Sequence, residues 1–271
     1  MATIELVPRP ATIKGIVEES RDVKSFVLEM NEPQAMEVQP GQFIEVSVQG
    51  YGEATFAVTR TSKDNKEFTI SVKRIGHLTK IMHRAAEGDI VGVRGPYGNN
   101  FPVDKWKGKD IVIIGGGIGL APLRPVIDQI LRHRKEFGEL QIIFGARSPL
   151  DILYKQDLKK WEEDKTIELH TTIDVPFEGW NGRVGVVPVV VKDLAVKADN
   201  KIALVCGPPI MIKFTVAALK ELGWSDDKIF TTLEMKMQCG IGQCGRCNIG
   251  EKFICKDGPV FSLDQIPAYA L

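Results

Sequence analysis

Four of the five cysteines in this 271-residue chain lie between residues 239 and 255, as Cys239-Gly-Ile-Gly-Gln-Cys244-Gly-Arg-Cys247 and then Cys255. Four intervening residues, then two, then a more distant fourth cysteine is a spacing with which four thiolates hold a two-iron, two-sulfur cluster. Gly240, Gly242 and Gly245 let the backbone curl around such a group without Cβ clashes. A zinc knuckle also uses a Cys-x-x-Cys pair, but it usually shows two short pairs separated by a longer insert. Here one tight triplet is followed by a single outlying cysteine. Redox-active disulfide chemistry is the third reading. A cluster needs an electron source, so the rest of the chain should contain one.

Lys plus Arg and Asp plus Glu each number 35, so the formal net charge is zero. That balance gives no electrostatic reason to expect nucleic acid or an anionic membrane surface as partner. The length suits two ordinary domains with separate cores. No run approaches ~20 apolar residues, so no membrane span is expected. The start, Met-Ala-Thr-Ile-Glu-Leu-Val-Pro-Arg-Pro, lacks the pattern of a secretory signal. Clustered cysteines without such a signal point to metal in a reducing cytoplasm.

Two rhythms divide the chain. Strand-length runs rich in Val, Ile, Phe and Thr occur at 11–19, 23–30, 43–48, 55–60, 68–73 and 90–94. Turn residues at 31–33, 40–41, 50–52 and 63–65 separate several of them, which predicts a small antiparallel barrel. A helix over 78–86 interrupts it, and Gly95-Pro-Tyr-Gly98 with Pro102 ends it near residue 105. Strands then alternate with helices. Strands are predicted at 110–114, 140–144, 167–172, 201–206 and 228–232. Helices are predicted over about 15 residues after Pro122, to Phe137, at 155–161 and at 210–222. The alternation makes parallel βαβ units and a doubly wound sheet. The predicted division is a barrel over 1–105, an α/β domain over 106–235 and a cysteine-bearing tail over 236–271. The basic run 132–135 reads as the solvated face of the first helix of the α/β domain.

Two motifs in the α/β half bear on chemistry. Gly115-Gly116-Gly117-Ile-Gly119-Leu120-Ala121-Pro122 follows a strand and precedes a predicted helix. That is the context of a dinucleotide-binding turn, where glycines let the backbone approach a pyrophosphate and free amides favour its charge. The GGGxG run departs from the usual GxGxxG, and a tight turn that binds nothing is the competing reading. Cys206-Gly207-Pro208-Pro-Ile-Met211 ends a predicted strand, at the carboxyl edge where open α/β sheets bind ligands. The bland alternative is a buried structural cysteine before a helix with proline in its first turn.

The barrel, GGGIGLAP and CGPPIM, in that order over essentially the whole chain, resemble the ferredoxin–NADP reductase superfamily. With the cysteine-rich tail they are most similar to the NAD(P)H-reactive flavin subunits of anaerobic complexes. These include sulfhydrogenase gamma subunits, the flavin subunit of anaerobic sulfite reductase and the electron-transfer subunit of dihydroorotate dehydrogenase. The resemblance implies FAD on the barrel, at Thr55, Phe56, Ala57, Val58 and Thr59. The family's flavin loop normally begins with an arginine that this stretch lacks, so Val72, Lys73, Arg74, Gly76, His77, Leu78 and Thr79 are implied as substitutes around the flavin phosphate. It implies nicotinamide dinucleotide across Gly115–Pro122, with its ring near Cys206, Gly207, Pro208 and Met211. Cys206 and Gly207 are the implied catalytic positions. A [2Fe–2S] cluster is implied on Cys239, Cys244, Cys247 and Cys255.

The expected activity is therefore an NAD(P)H-dependent flavin oxidoreductase. It passes electrons, in either direction, between NAD(P)H and a catalytic partner such as a hydrogenase, sulfite reductase, dihydroorotate dehydrogenase or heterodisulfide reductase. Asp174 suits the ribose hydroxyls of NADH and would repel a 2′-phosphate, whereas Arg147 would accept one; the balance favours NADH. Two other readings compete: a free-standing reductase of a ferredoxin-type carrier, and a non-catalytic scaffold or sensor holding zinc or a labile cluster.

Overall fold

A computed structural model describes residues 6–32 and 36–267. Pro33, in one expected turn, and the last four residues of the expected tail lie outside them. The chain divides into two units: Met1–Phe101 with Leu233–Val260, and Pro102–Thr232 with Phe261–Leu271.

In the first unit, strands β1 (Arg9–Ser20), β2 (Val23–Met30), β3 (Phe43–Val48), β4 (Gly52–Thr61), β5 (Glu67–Lys73) and β6 (Ile90–Tyr97) close an antiparallel barrel. Its order is β1-β2-β5-β4-β3-β6. The pairing of β1 with β6 closes it, and the period-2 alternation of the segments gives it an apolar inner face. Phe26, Leu28, Ile44, Val46, Phe68, Ile70 and Val93 turn inward and form one core. A short helix α1 (His77–Met82) seals one end with Leu78 and Met82. It is shorter than the expected 78–86 because His83 leaves it, its Nε2 lying 2.8 Å from the Val72 carbonyl oxygen.

The cysteine-bearing segment up to Val260 belongs to this same unit. Asn99 fastens it. Its amide donates to the Gly258 carbonyl at 2.6 Å, its side-chain nitrogen donates to the Asp257 and Val260 carbonyls, and its side-chain oxygen accepts from the Val260 amide. Within the segment, β13 (Asn248–Ile249) and β14 (Lys252–Phe253) make a small hairpin, and α6 (Ile254–Asp257) carries Cys255. None of the three was expected.

The second unit holds a doubly wound sheet. Its strands are β7 (Asp110–Gly116), β8 (Leu140–Ala146), β9 (Ile167–Ile173), β10 (Arg183–Val184), β11 (Lys201–Cys206), β12 (Ile229–Thr232) and β15 (Val260–Ser262), in the order β10-β9-β8-β7-β11-β12-β15. The near-continuous apolar runs of β7, β8 and β11 are those of strands covered on both faces. Helices α2 (Arg124–Arg132), α3 (Lys155–Glu163), α4 (Val187–Asp193) and α5 (Pro209–Glu221) connect them.

Two expectations are corrected here. The expected helix of about 15 residues ending at Phe137 is shorter: after a 3-10 turn over Gly117–Leu123, the α-helix α2 runs nine residues, and a second 3-10 turn over Arg134–Glu136 takes the place of its end. Pro122 has no amide to donate and clashes with an α-helical preceding turn, so regular helix starts only beyond it, with Pro125 accepted in the first turn. Helix α4 was not expected, because Val187-Pro-Val-Val-Val reads as strand by propensity. Burial of Val187, Val190 and Val191 against the α/β core overrides it.

Candidate redox site

The nucleotide half of the site is created by sheet order. Strands β7 and β11 are parallel neighbours on opposite sides of the point where the winding reverses, and Gly115 pairs with Cys206 in register. GGGIGLAP and CGPP therefore leave the sheet side by side, at the crevice where such sheets bind ligands. They are packed backbone on backbone. A Cβ on Gly119 would lie 2.5 Å from the Cys206 carbonyl oxygen and equally close to the Gly207 nitrogen and Cα. One on Gly116 would overlap Met211 Sδ and sit 3.3 Å from Pro208. This contact accounts for the glycines at 116 and 119, which serve the approach of the second motif, whereas Gly117 takes φ +54.

Cys206 is buried, and its Sγ is 2.9 Å from Thr232 Oγ1, within a hydrogen bond that fixes its rotamer. Thr232 was not among the expected site residues, although its place at the end of a predicted strand beside β11 would have flagged it. Leu120, Ala121 and Pro122 are buried under the turn rather than exposed on it.

At the ends of β8 and β9, Arg147 and Asp174 are exposed neighbours, and the Asp174 amide donates to the Ala146 carbonyl at 3.0 Å. Burial raises the Asp174 carboxyl; Arg147 opposes this and Asp151 reinforces it. The two residues expected to contest the ribose are thus brought together at one corner of the crevice.

On the barrel, the flavin candidates fall on two faces. Phe56, paired with Ile44, is packed against the core, as are Val58, Val72 and Leu78, while Thr59 is fully buried and its hydroxyl donates to the Thr69 carbonyl. Thr55 lies on the outer face and donates to Glu45 at 2.8 Å. Lys73 pairs with Asp22, and Arg74 contacts the Arg21 carbonyl at 3.5 Å. Thr79 Oγ1 accepts from the amides of Ile75 and Gly76 and donates to the Gly76 carbonyl, so it organises the loop entering α1. The exposed His77 lies against the Tyr51 ring, with centroids 5.8 Å apart.

The cysteine loop carries the clearest signal. Cys239 Sγ accepts from the backbone amides of Ile241, Gln243 and Cys244 at 3.3–3.5 Å, and Cys255 Sγ accepts from Gly242 at 3.0 Å. The Cys247 and Cys255 sulfurs are 3.3 Å apart and both residues are 1% exposed. Burial pushes the Cys239 thiol up, but the three amides outweigh it and leave it at about 6. Burial and then Cys247 push Cys255 up to about 12. Among the described residues, no three His, Cys, Asp or Glu side chains converge on one ion position. The donor set nonetheless fits an iron–sulfur cluster: four thiols on a loop whose amides aim at sulfur, the arrangement that stabilises thiolate charge. Gly240 takes φ +76, and a Cβ there would lie 2.6 Å from the Tyr97 ring, so only glycine lets the loop pass.

One polar group behind the loop was not anticipated. Glu45, 1% exposed in the middle of β3, faces Thr55 on β4 and Arg94 on β6. Burial raises its carboxyl to about 7; Thr55 and Arg94 oppose this, and Glu53 and Cys239 add to it. A carboxyl with a folded value above its unfolded one stabilises fully below about 4.5, and that stability is lost as pH rises through about 7. Glu45→Gln is therefore expected to raise stability at pH 8 by at most ~3 kcal/mol, at about 1.4 kcal/mol for each tenfold change in proton affinity, and to be nearly neutral at about pH 4. Denaturant titrations at the two pH values check this; an equal effect at both contradicts it.

Three domain families match successive parts of the chain. The oxidoreductase FAD-binding domain family matches residues 10–101, and the oxidoreductase NAD-binding domain family matches 113–217. The iron–sulfur cluster binding domain of dihydroorotate dehydrogenase B matches 234–267, across all four cysteines. Sulfhydrogenase 2 subunit gamma of Pyrococcus furiosus is 36% identical over 83% of this chain and 83% of its own. A probable dihydroorotate dehydrogenase B electron transfer subunit of Thermococcus kodakarensis is 34% identical over 95% and 97%.

The chain belongs to this family of NAD- and FAD-binding iron–sulfur electron-transfer subunits.

It is a ferredoxin–NADP reductase-like oxidoreductase in fold as well. The structure of an NADH-dependent reduced ferredoxin–NADP oxidoreductase superposes with a TM-score of 0.79 at 27% identity, over 98% of this chain and 91% of that one. Among the described residues, no helix of this electron-transfer subunit is long and apolar enough to cross a membrane.

Proposed function

We propose that this subunit moves electrons between NADH and a catalytic redox partner through FAD and a [2Fe–2S] cluster held by Cys239, Cys244, Cys247 and Cys255. The observation that carries the proposal is the loop of backbone amides around Cys239 Sγ, beside the close Cys247–Cys255 pair. The 4-2-7 cysteine spacing supports a two-iron cluster. When bound, a flavin supplies two-electron to one-electron conversion and a cluster supplies single-electron transfer; the protein supplies position and electrostatics.

The chain's own residues divide that work. The Gly115–Gly119 turn leaves backbone amides facing the crevice, where a pyrophosphate is favoured. Gly207 lets Met211 pack close, since a Cβ there would lie 2.6 Å from Met211 Cε, and Cys206, oriented by Thr232, stands with Pro208 and Met211 beside the turn. On the barrel, the accessible members of Thr55–Thr59, Val72–Arg74 and Gly76–Thr79 (Thr55, Phe56, Ala57, Lys73, Arg74, Gly76 and His77) make the flavin surface, and the buried Val58, Thr59, Val72, Leu78 and Thr79 hold it from beneath. The functional division is a flavin-bearing 1–105, a nucleotide-bearing 106–235 and a cluster-bearing 236–271. Five free thiols suit a reducing cytoplasm.

The relatives named as subunits support a catalytic partner of the hydrogenase or dihydroorotate dehydrogenase class. The second reading, reduction of a separate carrier, draws support from the likeness to the ferredoxin–NADP oxidoreductase. Anaerobic purification from the native host distinguishes them. Flavin and iron–sulfur absorption bleached by NADH, with a stoichiometric second chain, is the expected result. A bleaching monomer selects the carrier reading, and a colourless zinc protein overturns both.

NADH preference rests on Asp174 beside Arg147. Asp174→Ala is expected to improve kcat/KM with NADPH about fivefold, from ~1 kcal/mol for an exposed charge contact. Diaphorase assays with both nucleotides check it; an unchanged ratio removes Asp174 from the site.

A further inference from the structure

Arg94 is a heavily committed polar side chain of the barrel. It sits near the end of β6 at 5% exposure, where an unpaired charge would be costly. All five of its N–H donors are used. Nε and one Nη2 proton form a two-point ion pair with Glu53, at 2.8 and 2.5 Å. The other Nη2 proton reaches the Gln238 carbonyl at 2.6 Å, and Nη1 reaches the Cys239 carbonyl at 2.7 Å and Tyr97 Oη at 3.2 Å. The guanidinium also lies over the Tyr97 ring, 5.5 Å from its centroid, the ring on which Gly240 rests.

One cation thus joins three elements: Glu53 in β4, Tyr97 in β6, and the chain on either side of the first cluster ligand. Its acceptors there are backbone carbonyls, so the contact holds the path of the loop independently of the thiol. A planar five-donor fork does this; an ammonium with three donors does not.

We propose that Arg94, oriented by Glu53, is the positioning residue of the cluster loop. It clamps the carbonyls of Gln238 and Cys239 against the barrel wall and keeps a fixed positive charge beside the cluster's first ligand. The clamp holds the loop in its ligating shape, and the charge stabilises the reduced, more negative cluster. This inference rests on the cluster reading above.

The test uses the whole chain with its cofactors, comparing wild type with Arg94→Gln, Arg94→Lys and Glu53→Gln. Three readouts are needed: iron per chain, the rate of iron loss to a chelator, and the cluster's midpoint potential by electron paramagnetic resonance titration. Arg94→Gln should lose iron to chelator at least about tenfold faster, the ratio expected from losing one charge-assisted hydrogen bond, and its remaining cluster should have a lower potential. Arg94→Lys should hold the potential near wild type yet lose iron faster, which separates charge from clamp. Glu53→Gln removes the opposing carboxylate and should move the potential upward, opposite to Arg94→Gln.

Wild-type iron retention and potential in Arg94→Gln overturn the inference. So does a shift of the same sign in Arg94→Gln and Glu53→Gln. Absence of iron from anaerobically prepared wild type would instead defeat the cluster reading itself. Flavin content and amide exchange of the barrel strands, measured on each variant, show whether the barrel has folded.

Discussion

Cys247→Ser is expected to abolish cluster assembly while leaving flavin reduction by NADH intact. Cys247 and Cys255 are both buried, their sulfurs are 3.3 Å apart, and the surrounding hairpin closes through the Ile254 amide on the Cys247 carbonyl. Serine there offers a hydroxyl that ligates iron poorly, and at 1% exposure solvent has no route to replace it. Cys244 is the contrast: it is exposed, so water or an added thiol can reach the vacated position. Iron per chain should fall to background in Cys247→Ser and only partly in Cys244→Ser, with the difference reduced by exogenous thiol. NADH bleaching of the flavin should persist in both, whereas one-electron delivery to the partner is lost in Cys247→Ser. Full iron in Cys247→Ser would remove that cysteine from the ligand set.

Gly119→Ala should be the most damaging single methyl group in the nucleotide unit. Its Cβ would sit 2.5 Å from three backbone atoms of Cys206 and Gly207, and no side-chain rotation relieves a backbone clash. Separating the two motifs is expected to cost ~1–3 kcal/mol, the range of overpacked sites, and to move the amides off a bound pyrophosphate. Loss of NADH affinity should therefore exceed loss of stability. Gly223→Ala is the control: outside the nucleotide turn, it has φ +89 and nothing within 4 Å of its Cβ position, so it carries only the ~1 kcal/mol strain of a left-handed residue. Thermal unfolding with and without NADH, read on both variants, measures the two effects. Equal behaviour of the two variants would mean that the close packing of Gly119 does not shape the site.

Much of this molecule was readable along the chain. The period-2 runs, the change of rhythm after Pro102 and the apolar β7, β8 and β11 declare a barrel followed by a doubly wound sheet. They do so because local patterning decides which faces must be buried. The clustered cysteines stood out for a different reason: cluster chemistry requires one residue type at close spacing, and spacing is a one-dimensional quantity. The Gly115–Pro122 and Cys206–Met211 motifs could be found singly, each with a bland alternative. Only strand order brings them together, since Gly115 and Cys206 lie far apart in sequence yet pair in register.

What only the tertiary structure decided is the chemistry of charged residues in the barrel wall. Glu45, Glu53 and Arg94 stand in strands where ordinary alternation would leave a charge facing solvent. Glu45 and Arg94 are buried, and Glu53 is paired with Arg94, where the segment after Leu233 folds back onto the barrel. Helix α4, written in β-branched residues, and the proline-interrupted start of α2 were likewise settled by packing rather than propensity. The physical reason is common to all of these. Periodicity and spacing are properties of neighbours in sequence, whereas burial of a charge, contact between distant turns and choice of helix over strand depend on what arrives from far along the chain.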